Sequence, residues 1–268
     1  MASSAARLTV PAVSKMASII SGDVTIAYDD IGPREARAVL LLHGFATNRK
    51  ENWQRLGWYG AFERKRFRMI AMDSRGHGES GKPRAPEAYA REAILGDAFA
   101  LLDALAITRA DLFGYSMGAR LALAAALAQP ERFSHVVLGG IGGRLFHPPL
   151  AGNPMAEAME AEDANDIAEP MLKSFRHFAD EQGEDRAALA ALSRAGQTCF
   201  TPDMLRTLRV PVLVVAGARD TLAGDPKELA RTFPHGRAVT LPGCDHFSAI
   251  PHGLFKAAVF DFLDDVLE

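Results

Sequence analysis

Apolar residues in this chain alternate between short unbroken runs and stretches where they recur every three or four positions. The runs at 39–42, 68–72, 110–115, 136–138, 212–216 and 238–241 read as strands, and unbroken runs of this kind suit a parallel sheet covered on both faces. Residues 17–20 and 24–29 flank Ser21-Gly22-Asp23, which predicts an opening antiparallel hairpin. Helical spacing covers 88–105, 117–128, 226–233 and 254–267. Pro130 closes the second of these helices, and Pro226 suits the first turn of the third, where its missing N–H has no intrahelical partner to lose. Strands and helices in alternation predict an α/β fold built on a mostly parallel, doubly wound sheet.

One region departs from this rhythm. Between Gly139 and Leu208 no strand pattern appears. Gly139-Gly140-Ile141-Gly142-Gly143 and Pro148-Pro149 lead into helical, acidic sequence, where Phe146, Phe175, Phe178 and Phe200 offer apolar surface to bury. So long a structureless excursion is uncommon in a compact domain, so a helical lid inserted after the strand near Leu138 is expected, with the glycine run as its hinge. The expected organisation is an N-terminal extension at 1–16, a first core part at 17–143, the lid or cap at 144–208, and a second core part at 209–268.

Composition narrows the function. The 268 residues are 48% hydrophobic and 24% charged, enough for one large domain with a substantial core. A net charge of −3 argues against a nucleic-acid surface, and the basic cluster at 63–66 with Arg68 reads as a solvated helix end before a buried strand. No apolar run approaches the roughly 18 residues that span a bilayer. The first residues lack the long apolar stretch of a secretory signal. Cys199 and Cys244 are read as free thiols in a reducing compartment, with Cys244 buried, and the expected location is cytoplasmic. No His, Cys, Asp or Glu grouping has metal-ligand spacing, so neither a metal nor a cofactor is expected.

The chemistry is carried by Gly114-Tyr115-Ser116-Met117-Gly118, where a strand pattern gives way to an Ala- and Leu-rich helix pattern. A serine at so sharp a turn needs glycines on either side to avoid Cβ collisions, and the strained backbone, worth about 1–3 kcal/mol, lifts its oxygen clear of the walls. Serine is a weak nucleophile that needs a base, an orienting acid and oxyanion donors. Asp220 follows the 212–216 strand and His246 follows the last strand, giving the order Ser, Asp, His beyond three strand ends. Asp245 and Asp225 compete with Asp220 as the acid. Oxyanion donors are expected from the backbone N–H of Met117, at a helix start, and of Phe45, after Gly44 permits a turn. His43 and His77 are expected to tie loops together, and His135, His147, His177, His235 and His252 to be surface or packing residues. Asp97 and Asp103 are expected to be solvated on their helix.

These motifs together resemble the α/β-hydrolase superfamily, in its serine-nucleophile, esterase- and lactonase-like branch, from about Ala17 onward. His43-Gly44-Phe45 is similar to the family's oxyanion loop, 73–80 to its D-x-R-G-x-G-x-S turn, and 114–118 to its nucleophile elbow. Residues 217–220 and Asp245-His246 are similar to its acid and histidine loops. The resemblance implies catalytic Ser116, Asp220 and His246 and an inserted cap. It also implies a carboxylesterase-like enzyme acting on a small-molecule ester or lactone. A serine at 116 speaks against the haloalkane dehalogenases and epoxide hydrolases, which use aspartate there. Carbon–carbon bond hydrolases, thioesterases and perhydrolases share the triad and stay open. So does a ligand receptor or signalling protein on the same scaffold, with slow or single-turnover cleavage. The acidic stretch at 157–169 reads first as a solvated helix face, and second as a lining that favours small uncharged esters or lactones over anionic acyl groups. Nothing in the sequence sets an oligomeric state.

Overall fold

The structure, a computed structural model, describes residues 17–147, 152–196 and 198–266. The extension at 1–16, Pro148-Pro149 and the last position of the helix expected at 254–267 lie outside the described residues. The chain opens with the hairpin β1 (Ala17–Ser21) and β2 (Val24–Ile31), then β3 (Ala38–Leu42), α1 (Trp58–Arg64), β4 (Arg68–Met72) and α2 (Arg91–Ala104). β5 (Ala110–Tyr115), α3 (Met117–Ala128) and β6 (Phe133–Gly139) follow. After them come four helices, α4 (Pro154–Glu160), α5 (Pro170–Gln182), α6 (Arg186–Arg194) and α7 (Pro202–Arg206). β7 (Val212–Gly217), α8 (Pro226–Ala230), β8 (Gly236–Leu241) and α9 (Gly253–Leu263) complete the core.

The eight strands form one sheet in the order β1-β2-β4-β3-β5-β6-β7-β8, antiparallel at β1, β2 and β4 and parallel from there on. Strand alternation divides the core. Leu40, Leu42, Ile70, Leu112 and Leu138 face α2, α3 and α8, while Val39, Leu41, Met69, Phe113 and Val137 face α1 and α9. Both faces are dry, which is why these strands read as unbroken apolar runs.

Several local expectations change. β6 starts three residues earlier than its apolar run, because His135 and Ser134 sit in the strand as half-buried polar positions. The helix expected from 88 begins at Arg91, since Ala90 is extended (φ −52°, ψ 143°) after the short turn Pro86–Tyr89. α1 was hidden by Gly57 and Gly60, although its buried Trp58, Tyr59, Ala61 and Phe62 make it a core element. Asp97 is a correction. It is 0% exposed and takes Arg75 Nε and Nη2 at 2.7 Å each, a pairing brought about by the 73–80 turn folding over α2. Asp103 is exposed and pairs with Arg132.

The insertion between β6 and β7 is helical and has its own small core. Asp185 and Thr201 cap α6 and α7, and prolines open α4, α5 and α7. Ala156, Met159, Phe175, Ala179, Leu189 and Ala190 cluster with Ala46 of the core. The glycine run leading into it is clamped. A Cβ at Gly142 or Gly143 would lie 2.8 or 2.0 Å from atoms of the 224–228 segment, and Gly143 N–H donates to Asp225 O at 2.9 Å. Gly142 and Gly143 therefore serve close packing against that segment.

Candidate active site

The elbow takes the strained form its sequence predicts. Ser116 has φ 54° and ψ −113° between β5 and α3. A Cβ at Gly114 would sit 2.1 Å from Gly118 O, and one at Gly118 would sit 2.0 Å from Leu42 O, so both glycines are required by contact. The turn is pinned by Ser116 N–H, which donates to Gly139 O at 2.8 Å. With the strand buried behind it, the serine hydroxyl projects at the C-terminal edge of the sheet.

Two further loops on that edge bring Asp220 and His246 to it. A Cβ at Gly217 would meet Cys244 O at 2.2 Å, so the acid and histidine loops lie pressed together, joined by Ala218 N–H to Leu241 O and Arg219 N–H to Cys244 O, both 2.8 Å. Asp220 Oδ1 accepts from Leu222 and Ala223 N–H at 3.0 and 2.9 Å. Its Oδ2 lies 2.8 Å from His246 Nδ1, and His246 Nε2 lies 3.0 Å from Ser116 Oγ. The carboxylate can only accept, so it fixes the proton on Nδ1 and leaves Nε2 to accept the serine proton. Asp220 and His246 are buried, at 5% and 7% exposure. The competing acids are occupied elsewhere. Asp245 accepts from Phe247 N–H, Ser248 N–H and Ser248 Oγ, and Asp225 caps α8.

The loop after β3 is braced by neighbours. Gly44 N–H donates to Asn52 Oδ1 at 3.1 Å, and Ala46 N–H donates to His77 Nε2 at 3.2 Å. Burial, with His43 beside it, pushes His77 well below the usual histidine range, so the neutral ring is available as that acceptor. His43 accepts Ser74 N–H, and its other nitrogen meets Gly44 O at 2.7 Å, so both histidines tie loops as expected. Gly44 does not supply the left-handed turn. That residue is Ala46, at φ 59°. Phe45 lines the cavity beside Ser116, and Met117 begins α3 directly after the serine, where the helix leaves its N–H without a partner of its own.

Sequence reasoning missed Tyr115 and Asn52. Tyr115 Oη donates to His246 O and so anchors the histidine loop, and burial raises its phenol well above the usual range, keeping that proton in place. Its position inside the elbow was the available signal. Asn52 had none, because its partner lies across a loop. This edge of the sheet opens into a cavity of about 540 Å³, lined by Ser116, His246, Asn52 and the rings of Phe45, Phe175, Phe178 and Phe247. Among the described residues no His, Cys, Asp and Glu group is placed to hold a metal ion, and no helix is long and apolar enough to cross a membrane.

Comparison with known proteins agrees with this architecture. The sequence profile of the alpha/beta hydrolase fold matches residues 37–188. A Bacillus subtilis protein named for 2-succinyl-6-hydroxy-2,4-cyclohexadiene-1-carboxylate synthase activity is 37% identical, over 92% of this chain and 97% of its own. The 3-oxoadipate enol-lactonase 2 of Acinetobacter baylyi is 26% identical, over 81% of this chain and 85% of its own. A hydrolase from Pseudomonas aeruginosa superposes with a TM-score of 0.77 at 27% identity, covering 94% of this chain and 99% of that one. With the ordered loops, the sheet topology and the profile in agreement, this chain belongs to the alpha/beta hydrolase fold family.

Proposed function

We propose that this protein is a serine hydrolase that cleaves a carboxylic ester or lactone through an acyl-enzyme on Ser116. One observation carries the reading. Asp220 Oδ2, His246 Nδ1, His246 Nε2 and Ser116 Oγ form an unbroken line, at 2.8 and 3.0 Å, that ends in a cavity. As Ser116 Oγ attacks the acyl carbon, His246 Nε2 takes its proton and Asp220 stabilises the imidazolium. The N–H groups of Phe45 and Met117 hold the oxyanion, and loss of either donor costs about 10²–10³ in rate. The tetrahedral intermediate collapses, and His246 returns the proton to the departing alkoxide. Water then gives a proton to His246 and attacks the acyl-enzyme, and as this second intermediate collapses His246 returns that proton to Ser116 Oγ, releasing the acid and free Ser116. The insertion acts as a lid whose Phe175 and Phe178 pack on Phe247 and complete the apolar wall of the cavity.

The enol-lactonase relative supports a lactone or ester as substrate. A 2-hydroxymuconate semialdehyde hydrolase from a Pseudomonas, 40% identical over 74% of this chain and 77% of its own, supports a second reading in which the same three residues act on a carbon–carbon bond. Turnover of p-nitrophenyl acyl esters tests the first reading. Ser116→Ala should abolish it while the circular dichroism spectrum is unchanged. Full activity in that variant would refute the nucleophile. A wild-type protein inert to esters and lactones but active on a vinylogous diketone would favour the second reading. Steady multiple turnover separates either enzyme from a single-turnover receptor.

A further inference from the structure

The insertion meets the core beside the cavity through a buried carboxylate that the chemistry above does not use. Glu184 follows Gly183, whose left-handed backbone (φ 66°) ends α5, and the residue is 8% exposed. Its Oε1 accepts from Asn48 Nδ2 at 3.0 Å, and its Oε2 accepts from Gly78 N–H at 2.8 Å. Both donors are uncharged, and burial outweighs them, raising the carboxyl above the usual glutamate range. A buried carboxylate without a paired cation is a costly way to join two segments. Its position therefore calls for a reason beyond adhesion.

Each partner leads to the oxyanion side of the cavity. Asn48 Oδ1 accepts from Lys50 and Glu51 N–H, both at 3.1 Å, and so starts the helical turn Lys50–Gln54. That turn presents Asn52, which holds Gly44 N–H, one residue before Phe45. Gly78 follows His77, which holds Ala46 N–H, one residue after Phe45. The two supports of the loop at 43–46 thus converge on one side chain from the insertion.

We propose that Glu184 is a positioning residue for the reaction, docking the insertion on Asn48 and Gly78 so that the loop bearing the Phe45 N–H is held in register with Ser116. The proposal rests on the reading of Ser116 as nucleophile. Without Glu184 the insertion stays attached, because Phe175 packs on Phe45 at 6.0 Å between ring centres and the small apolar cluster remains. What is lost is the placement of an oxyanion donor, which acts in the transition state, so kcat falls more than KM rises. The charged and titratable groups around Glu184 are His43 and Asp73 in the core loops and Lys82, which holds Gly78 O. Asp185, paired with Arg84, lies next in the chain. Protonation of Glu184 removes an accepting lone pair, so the latch weakens on the acid side, at a pH above that of an ordinary glutamate.

The test uses the full chain with p-nitrophenyl butyrate. Glu184→Gln keeps the side chain's size but sets an N–H₂ against one of the two donors. It should lower kcat by about tenfold or more while KM changes by less than about twofold. Its kcat should also lose the part of the acid-side fall that the wild type owes to Glu184. Asn48→Ala cuts the relay from the core side, and adding Glu184→Gln to it should cost little more. Arg84→Ala removes the exposed ion pair in the same seam and should leave kcat unchanged. A Glu184→Gln variant with a lowered unfolding midpoint but unchanged kcat and pH profile would reduce the residue to a structural role and overturn the proposal. An equal loss in Arg84→Ala would do so too. Full activity in Ser116→Ala would instead remove the reading beneath it.

Discussion

Ser116 and Asp220 show opposite ways of preparing a side chain. Ser116 is held in backbone space that residues with a side chain avoid, at φ 54° and ψ −113°, and its hydroxyl is directed by that strain. Asp220 is in relaxed surroundings, with Oδ1 saturated by Leu222 and Ala223 N–H so that Oδ2 is left for His246. Asp220→Asn preserves shape but places a donor or a weaker acceptor against Nδ1, which favours the wrong imidazole tautomer. Its kcat on an activated ester should fall by about 10⁴ with the fold intact. An unchanged kcat would remove Asp220 from the triad.

At the scale of elements, glycines separate contact from conformation. Gly118 has a normal helical backbone, but a Cβ there would lie 2.0 Å from Leu42 O, a backbone atom that cannot swing away. Gly22 has φ +62° with nothing within 4 Å. Gly22→Ala should therefore cost only the left-handed strain, about 1–2 kcal/mol in urea unfolding, and leave kcat untouched. Gly118→Ala should lower stability by more than that and depress kcat as well, since α3 must move away from β3. Equal stability losses and intact activity in both would refute this account of the elbow. The elbow was legible in the sequence because all its parts lie within five residues. The bracing of the loop at 43–46 was legible only in outline. His43 and His77 announced a tie between loops, whereas Asn52 and Glu184 reach their partners across 8 and more than 100 positions. Asp97 was misread for the same reason, since a carboxylate on a helix looks solvated until Arg75 arrives from another turn.

Across the whole molecule, the edge of the sheet opposite the cavity is tied by a charged knot. Arg37 and His135 both meet the buried Asp111, Arg37 also donates to Leu263 O, and His135 reaches Asp265 just beyond α9. The hydrogen bond to Asp111 raises His135 above the usual histidine range, with burial and Arg37 opposing it. A pKa raised in the folded state adds stability that is complete below the unfolded value of about 6.5 and is lost as pH rises through the higher folded value. The stability advantage of wild type over His135→Phe, from urea unfolding, should therefore shrink as pH rises from about 5 to about 9. A constant difference over that range would show that His135 does not exchange its proton with folding.

The sequence by itself determined the sheet, the elbow and the order of Ser116, Asp220 and His246. Strand burial and turn geometry are written in local apolar runs and in glycines, which a linear reading can recover. Only the tertiary structure decided which carboxylate faces His246, since Asp245 and Asp225 are consumed by their own turns, and which groups brace the loop at 43–46. Those choices depend on where distant backbone donors and acceptors come to rest. Local pattern carries no record of them, because each such contact is selected by the packing of segments far apart in the chain.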